Sequence, residues 1–210
     1  DTAARVEASR LTAEDSVPAA VTRPRFGDFD SLLSRRIIRV LVSPNLTQYF
    51  LDQGTPRGLS VDAASLFEAE LNRKHGTGRR PFRVILIPVS HVDLLPALLA
   101  GRGDFVASGI TVTPERKARA DFSHPTLRNV SEIVVTGPAS PHVGTLDDLA
   151  GQEIFVRRSS SYYESLQRLN TAFQRRGLPP VRLREAPEAL ESEDLLEMLN
   201  AGLVPLVVVD

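Results

Sequence analysis

From Ile37 onward, β-rich runs alternate with helical patterns, and this alternation constrains the fold more than any other feature of the chain. Ile37-Ile38-Arg39-Val40-Leu41-Val42 is a β-branched run closed by Ser43-Pro44-Asn45, a strand followed by a loop. Val61, Ala64, Phe67 and Leu71 recur at helical spacing, with Gly76 as a stop signal. Phe82 to Pro88 reads as a second strand. His91 to Ala100 reads as a helix with Val92, Leu95, Leu98 and Leu99 on one face, and Asp104 to Ala107 as a third strand. Strands separated by helices at this spacing predict βαβ units and a largely parallel sheet, an α/β protein.

The pattern is interrupted once and then repeats. Thr113-Pro114-Glu115-Arg116 is a helix start, with Thr113 as N-cap and Pro114 at the first helical position. Ser131 to Thr136 reads as a strand, and Gly137-Pro138-Ala139-Ser140-Pro141 then marks a boundary. Beyond it, Thr145 caps a short helix and Glu153 to Val156 is a strand. Ser161-Tyr162-Tyr163-Glu164 has capping-box spacing at the head of a helix that Gly177 ends. Val181 to Arg184 is a short strand, Ser192 caps a helix stopped by Gly202, and Leu203 to Val209 is a buried strand before Asp210. Residues 1–26, rich in Ala, Arg, Glu and Thr, predict a poorly ordered extension over residues 1–32, with the first lobe starting near residue 33.

Composition removes several functions. Twenty-five Lys and Arg against 26 Asp and Glu leave no basic surplus for holding a nucleic-acid backbone. With no cysteine, disulfides, thiolate metal sites and cysteine nucleophiles are excluded. The four histidines lie apart without a His-x-x-x-His pair, so neither a metal nor a cofactor is expected. No apolar run approaches the roughly 18 residues of a membrane span. The first residue is Asp, which fits removal of a leader or trimming of a longer chain. The Arg-rich pieces at 35–39 and 79–83 read as short solvated faces.

The sharpest chemical feature is Ser108-Gly109-Ile110-Thr111-Val112-Thr113-Pro114-Glu115-Arg116. A strand ends, Gly109 permits close backbone approach, and a helix begins at once. Free N–H groups, the Thr111 hydroxyl and the Arg116 guanidinium then share a small volume, an arrangement suited to a carboxylate; the alternative is an ordinary capped helix with a surface Arg. Arg157 and Arg158 running into Ser159, Ser160 and Ser161 before a helix make a second candidate anion site, or a hydroxyl-rich cap beside two solvated arginines. Tyr49, Tyr162 and Tyr163 fit stacking on a ligand and fit partial burial equally well.

Leu95-Pro96-Ala97-Leu98-Leu99-Ala100-Gly101-Arg102-Gly103-Asp104, the segment Gly109 to Arg116, and Asp121-Phe122-Ser123-His124-Pro125 together resemble the signature of type 2 periplasmic solute-binding proteins of the polar amino-acid class (family 3), over about residues 33–210. Asn45-Leu46-Thr47-Gln48-Tyr49-Phe50, Ser159 to Leu166 and Glu193 to Leu199 narrow the resemblance to the substrate-binding-like module of membrane-bound lytic murein transglycosylase F. The resemblance implies a two-lobed Venus-flytrap fold with lobe 1 over 33–136, lobe 2 from 137, hinge strands near 130–136 and 205–210, and a chain that stops at the second crossover. It implies that Gly109 and Thr111 contact a ligand α-carboxylate, that Arg116 pairs with it, and that Asp210 receives the α-ammonium. Ser160 and Ser161 fall on the second-lobe loop, with Arg157 on the strand before it. Asn45 to Tyr49 would form the near wall, where the usual acidic and aromatic pattern is missing.

The function so implied is non-catalytic binding of an amino acid or peptidoglycan stem peptide in the periplasm, regulating an attached transglycosylase domain. A receptor for an ABC uptake system, with a permease as partner, is the first alternative; a periplasmic dehydratase on the same fold is the second. Glu164-Ser165 and Glu191-Ser192 offer the Glu-Ser dipeptide of transglycosylase catalysis, but neither is followed by the Gly-rich segment of that domain, and neither reads as catalytic.

Overall fold

The structure, a computed structural model, describes residues 23–76 and 80–210. Residues 1–22 of the expected extension, and the second and third residues of Gly76-Thr77-Gly78, lie outside the described residues. By compactness the chain divides into two units, Asp1–Ile110 and Thr111–Asp210.

In the first unit, α1 (Phe29–Arg35) precedes β1 (Ile37–Val42). Then come a hairpin of β2 (Phe50–Asp52) and β3 (Thr55–Arg57), α2 (Leu59–His75), β4 (Arg83–Pro88), α3 (Leu94–Leu99) and β5 (Phe105–Val106). The sheet order is β4-β1-β5, all parallel, so β1 is central. Its sequence alternates to match. Ile38, Val40 and Val42 enter one core with Leu71 and Phe82, while Leu41 enters another with Leu94 and Ala97. A strand covered on both faces is why the run is apolar at every position but Arg39.

Two expectations change here. Phe29–Arg35, which begins inside the stretch assigned to the extension and ends in lobe 1, is a helix capped by Asp28, whose carboxylate accepts from the Ser31 N–H, and Leu32 and Leu33 pack on the first core. The piece at 35–39 is no solvated face. Arg39 is 1% exposed, and Asp104 takes both its guanidinium and its backbone N–H, with Arg35 added at 3.2 Å. A charge inside the apolar run of β1 is tolerated because Asp104 and the carbonyls of Arg23 and Arg25 satisfy it.

The second unit holds α4 (Pro114–Lys117), β6 (Ile133–Thr136), β7 (Glu153–Arg157), α5 (Ser161–Arg175), β8 (Arg182–Ala186), α6 (Ser192–Asn200) and β9 (Leu206–Val209). Its sheet order is β6-β9-β7-β8. β7 pairs in parallel with β8 and β9, and β6 runs antiparallel to β9 from Ile133↔Val209 to Thr136↔Leu206. Side chains again split by period two. Ile154, Val156, Leu206 and Val208 join Leu166 and Phe173 of α5; Phe155 and Val207 join Leu195 and Leu199 of α6. Both helix caps fall one residue earlier than the sequence spacing suggests. Ser160, not Ser161, caps α5, and Glu191, not Ser192, caps α6 in a box with Asp194.

Candidate functional site

Arg116 lies on α4, a single turn whose cap is Thr113; the Thr113 hydroxyl accepts the Arg116 N–H at 3.3 Å. One turn aligns few peptide dipoles, so the anion-holding capacity of this corner rests on the guanidinium rather than on the helix end. That guanidinium is half-buried. Nη1 donates to the Thr111 carbonyl at 3.0 Å, and Nη2 to the Ser159 carbonyl at 3.2 Å. Among the described residues it forms no ion pair with a carboxylate, whereas Arg35 and Arg39 share Asp104 and Arg157 pairs with Glu191. The fold therefore brings Thr111, Arg116 and the serine turn of 159–161 together.

The serine turn is held from several directions. Ser160 accepts the Tyr163 N–H as N-cap and donates to the Arg157 carbonyl at 2.7 Å. Ser161 is the first helical residue and is buried. The Ser159 N–H donates to Glu188 Oε1 at 3.0 Å, and the Ser159 hydroxyl to Glu188 Oε2. Arg157 is not a solvated side chain; it is buried and bonded to Glu191 Oε2 at 3.0 Å. The sequence marks Ser159 as one of three serines and Glu191 only as half of a Glu-Ser dipeptide; it gives no sign of Glu188 or of the pairs Ser159–Glu188 and Arg157–Glu191. The paired residues lie 29 and 34 positions apart, and no local spacing signals such contacts.

At the end of β9, Asp210 is exposed and its Oδ1 accepts the Tyr162 phenol at 2.6 Å. Burial pushes the Tyr162 phenol well above its ordinary value, and the bond to Asp210 and that residue's charge add to the rise; the Ser192 hydroxyl and the Arg157 guanidinium oppose it. Glu115, beside Arg116, is held below the usual carboxylate range, first by its own backbone N–H and then by the Thr113 hydroxyl.

In the first unit, Asn45 Oδ1 accepts the N–H groups of Thr47 at 3.0 Å and Gln48 at 2.6 Å, so its side chain shapes the turn. Tyr49 forms a bridge with Asn45 and packs against the Ile38–Val40–Val42 core. Gly109 has φ +60°, the left-handed region, and an added Cβ would meet only Gln48 Nε2 at 3.9 Å. Backbone conformation rather than space requires glycine there. Ser108, just before it, is buried and accepts the Ser43 N–H at 2.8 Å.

Glu164 stands fourth in α5, so it is not the box partner its spacing suggested. With Glu115, Gln167, Arg168 and Thr171 it lines an open groove of about 440 Å³. Among the described residues, no group of His, Asp and Glu is arranged to hold a metal ion, and no helix is long and apolar enough to cross a membrane.

Comparison with known proteins adds to this geometry. The family model of the bacterial extracellular solute-binding proteins, family 3, matches residues 38–206. Membrane-bound lytic murein transglycosylase F of Maricaulis maris (strain MCS10) is 35% identical over 159 residues, covering 76% of this chain and 32% of that protein. The chain spans about a third of the length of the curated relatives it matches. An ancestral arginine-binding protein solved with bound arginine is similar at a TM-score of 0.61 and 26% identity, over 84% of this chain and 70% of that one. The ancestral amino acid-binding protein AncCDT-1, a precursor of cyclohexadienyl dehydratase, is similar at a TM-score of 0.68 and 22% identity, over 86% and 73%, a likeness of fold alone.

Proposed function

Because the chain belongs to the bacterial extracellular solute-binding proteins, family 3, we propose that it is an exported, non-catalytic binding module for a small zwitterion, an amino acid or a peptidoglycan stem peptide. The observation that carries this reading is the state of Arg116. A half-buried guanidinium is oriented by the carbonyls of Thr111 and Ser159 and pairs with no carboxylate among the described residues. Carbonyl acceptors fix its plane but leave its charge uncompensated, which suits fork-shaped recognition of a ligand carboxylate. The Thr111 hydroxyl adds a donor to the same carboxylate, and Ser160 and Ser161 contribute the edge of α5. Asp210 receives the ammonium. Arg157 acts through its pair with Glu191 rather than by touching the ligand.

The relatives named as lytic transglycosylases, of whose length the chain covers about a third, support a second element of the proposal. In a longer protein, occupancy of this module regulates a transglycosylase domain. Calorimetric titration of the 210-residue chain with the twenty common L-amino acids and with stem peptides tests the reading. Saturable binding of at least one, absent in Arg116→Ala, is expected. No binding by any of them overturns it.

A further inference from the structure

Tyr162 is one of three tyrosines and is 8% exposed, yet its hydroxyl does not end in the core. It reaches Asp210 Oδ1 at 2.6 Å, and Asp210 is exposed. The ring is anchored among Leu149, Ile154, Val156, Leu166 and Leu206, so it cannot swing away without leaving the core. Facing the phenol are the Ser192 hydroxyl on α6 and the Arg157 guanidinium on β7, which is itself locked to Glu191 at the head of α6. A rigid donor thus takes one oxygen of a surface carboxylate and sets the plane of the other. We propose that Tyr162 is a positioning residue that makes the site selective for ligands carrying an ammonium group, by holding Asp210 in the orientation that receives it. This rests on the reading of Asp210 as the ammonium acceptor.

The logic is one of hydrogen-bond supply. A phenol has one proton. Donated to Oδ1, it leaves the remaining lone pairs of Asp210, including those of Oδ2, for a cationic donor. A phenol at its ordinary value already keeps that proton through the physiological range, and burial moves Tyr162 further in the same direction, so it remains a donor. Burial of the ring removes the rotamer freedom that an exposed Asp210 would otherwise have to lose on binding.

Tyr162→Phe keeps the ring in the core and deletes only the proton. The test titrates wild type, Tyr162→Phe, Asp210→Asn and the double variant calorimetrically with each L-amino acid that binds, and with the same acid lacking its α-amino group. Tyr162→Phe is expected to weaken the amino acid about tenfold while leaving the des-amino acid unchanged, and to have no further effect in the Asp210→Asn background. Equal weakening of both compounds, or full effects that add in the double variant, overturns the positioning role. Undiminished affinity of Asp210→Asn overturns the ammonium reading instead. Ultraviolet titration of the tyrosines gives an arm without ligand. Asp210→Asn should bring one phenol down toward the ordinary range, and its absence would show that the two side chains do not interact.

Discussion

Arg157 and Glu191 form an ion pair at 3.0 Å with side chains only 5% and 13% exposed, linking the end of β7 to the head of α6. Glu191 is also the N-cap of that helix. Arg157→Met keeps the stem volume but leaves a nearly buried carboxylate without its guanidinium. Urea unfolding is expected to show a loss of about 3 kcal/mol, with α6 the first element to lose amide protection in hydrogen exchange.

Arg116→Ala is expected to behave in the opposite way. The side chain is half-buried and holds two carbonyls, so removing it costs about 1 kcal/mol or less. Amino-acid affinity should fall at least a hundredfold, the effect of deleting a charge partner. Arg116→Lys should not restore binding, because a single ammonium cannot reproduce the planar fork that spans Thr111 and Ser159. Wild-type affinity in either variant refutes the site.

Tyr162 gives the stability curve an alkaline edge. Its folded value lies above the ordinary 10.0, so the folded state holds the proton more tightly than the unfolded chain does. The stabilisation is complete below pH 10.0 and declines as pH rises above it, by at most about 1.4 kcal/mol per pH unit. Denaturant midpoints from pH 8 upward should fall more steeply for wild type than for Tyr162→Phe.

Asp104 anchors the first unit as firmly as any apolar residue. Asp104→Asn retains the shape but leaves the 1%-exposed Arg39 without a counter-charge, and a loss of about 3–5 kcal/mol is expected by chemical denaturation. Arg35→Ala, whose side chain is 19% exposed, should cost under about 1 kcal/mol.

Gly103→Ala tests close packing under β1. The added Cβ would sit 2.4 Å from Leu41 Cγ, and Leu41 is fully buried, so it has nowhere to move. A destabilisation of about 1–3 kcal/mol is expected; an unchanged melting midpoint would mean the core yields there.

Much of the scaffold was legible because burial writes a period into the sequence. Ile37–Val42, Glu153–Arg157 and Leu206–Val209 are central strands, apolar on both faces, and α2 and α5 show their spacing and glycine stops. The hairpin of β2 and β3 was not foreseen. It is three residues a side, mostly exposed and carries Pro56, so neither period nor propensity marks it. At the candidate site, Arg116 and the serines stood out as residue types. The partners that fix them, Glu188 for Ser159 and Glu191 for Arg157, did not, because tertiary contacts of this range leave no local spacing. The same holds for Arg39, whose charge looked solvated until Asp104 was placed beside it.

The Ser159 peptide is tied at three points, its N–H and hydroxyl to Glu188 and its carbonyl to Arg116. An incoming anion therefore meets a loop whose peptide planes are already set, and little conformational freedom remains to be lost there on capture. Association at this turn should run at the pace of diffusion and charge attraction, with affinity differences between ligands appearing in how slowly each one leaves.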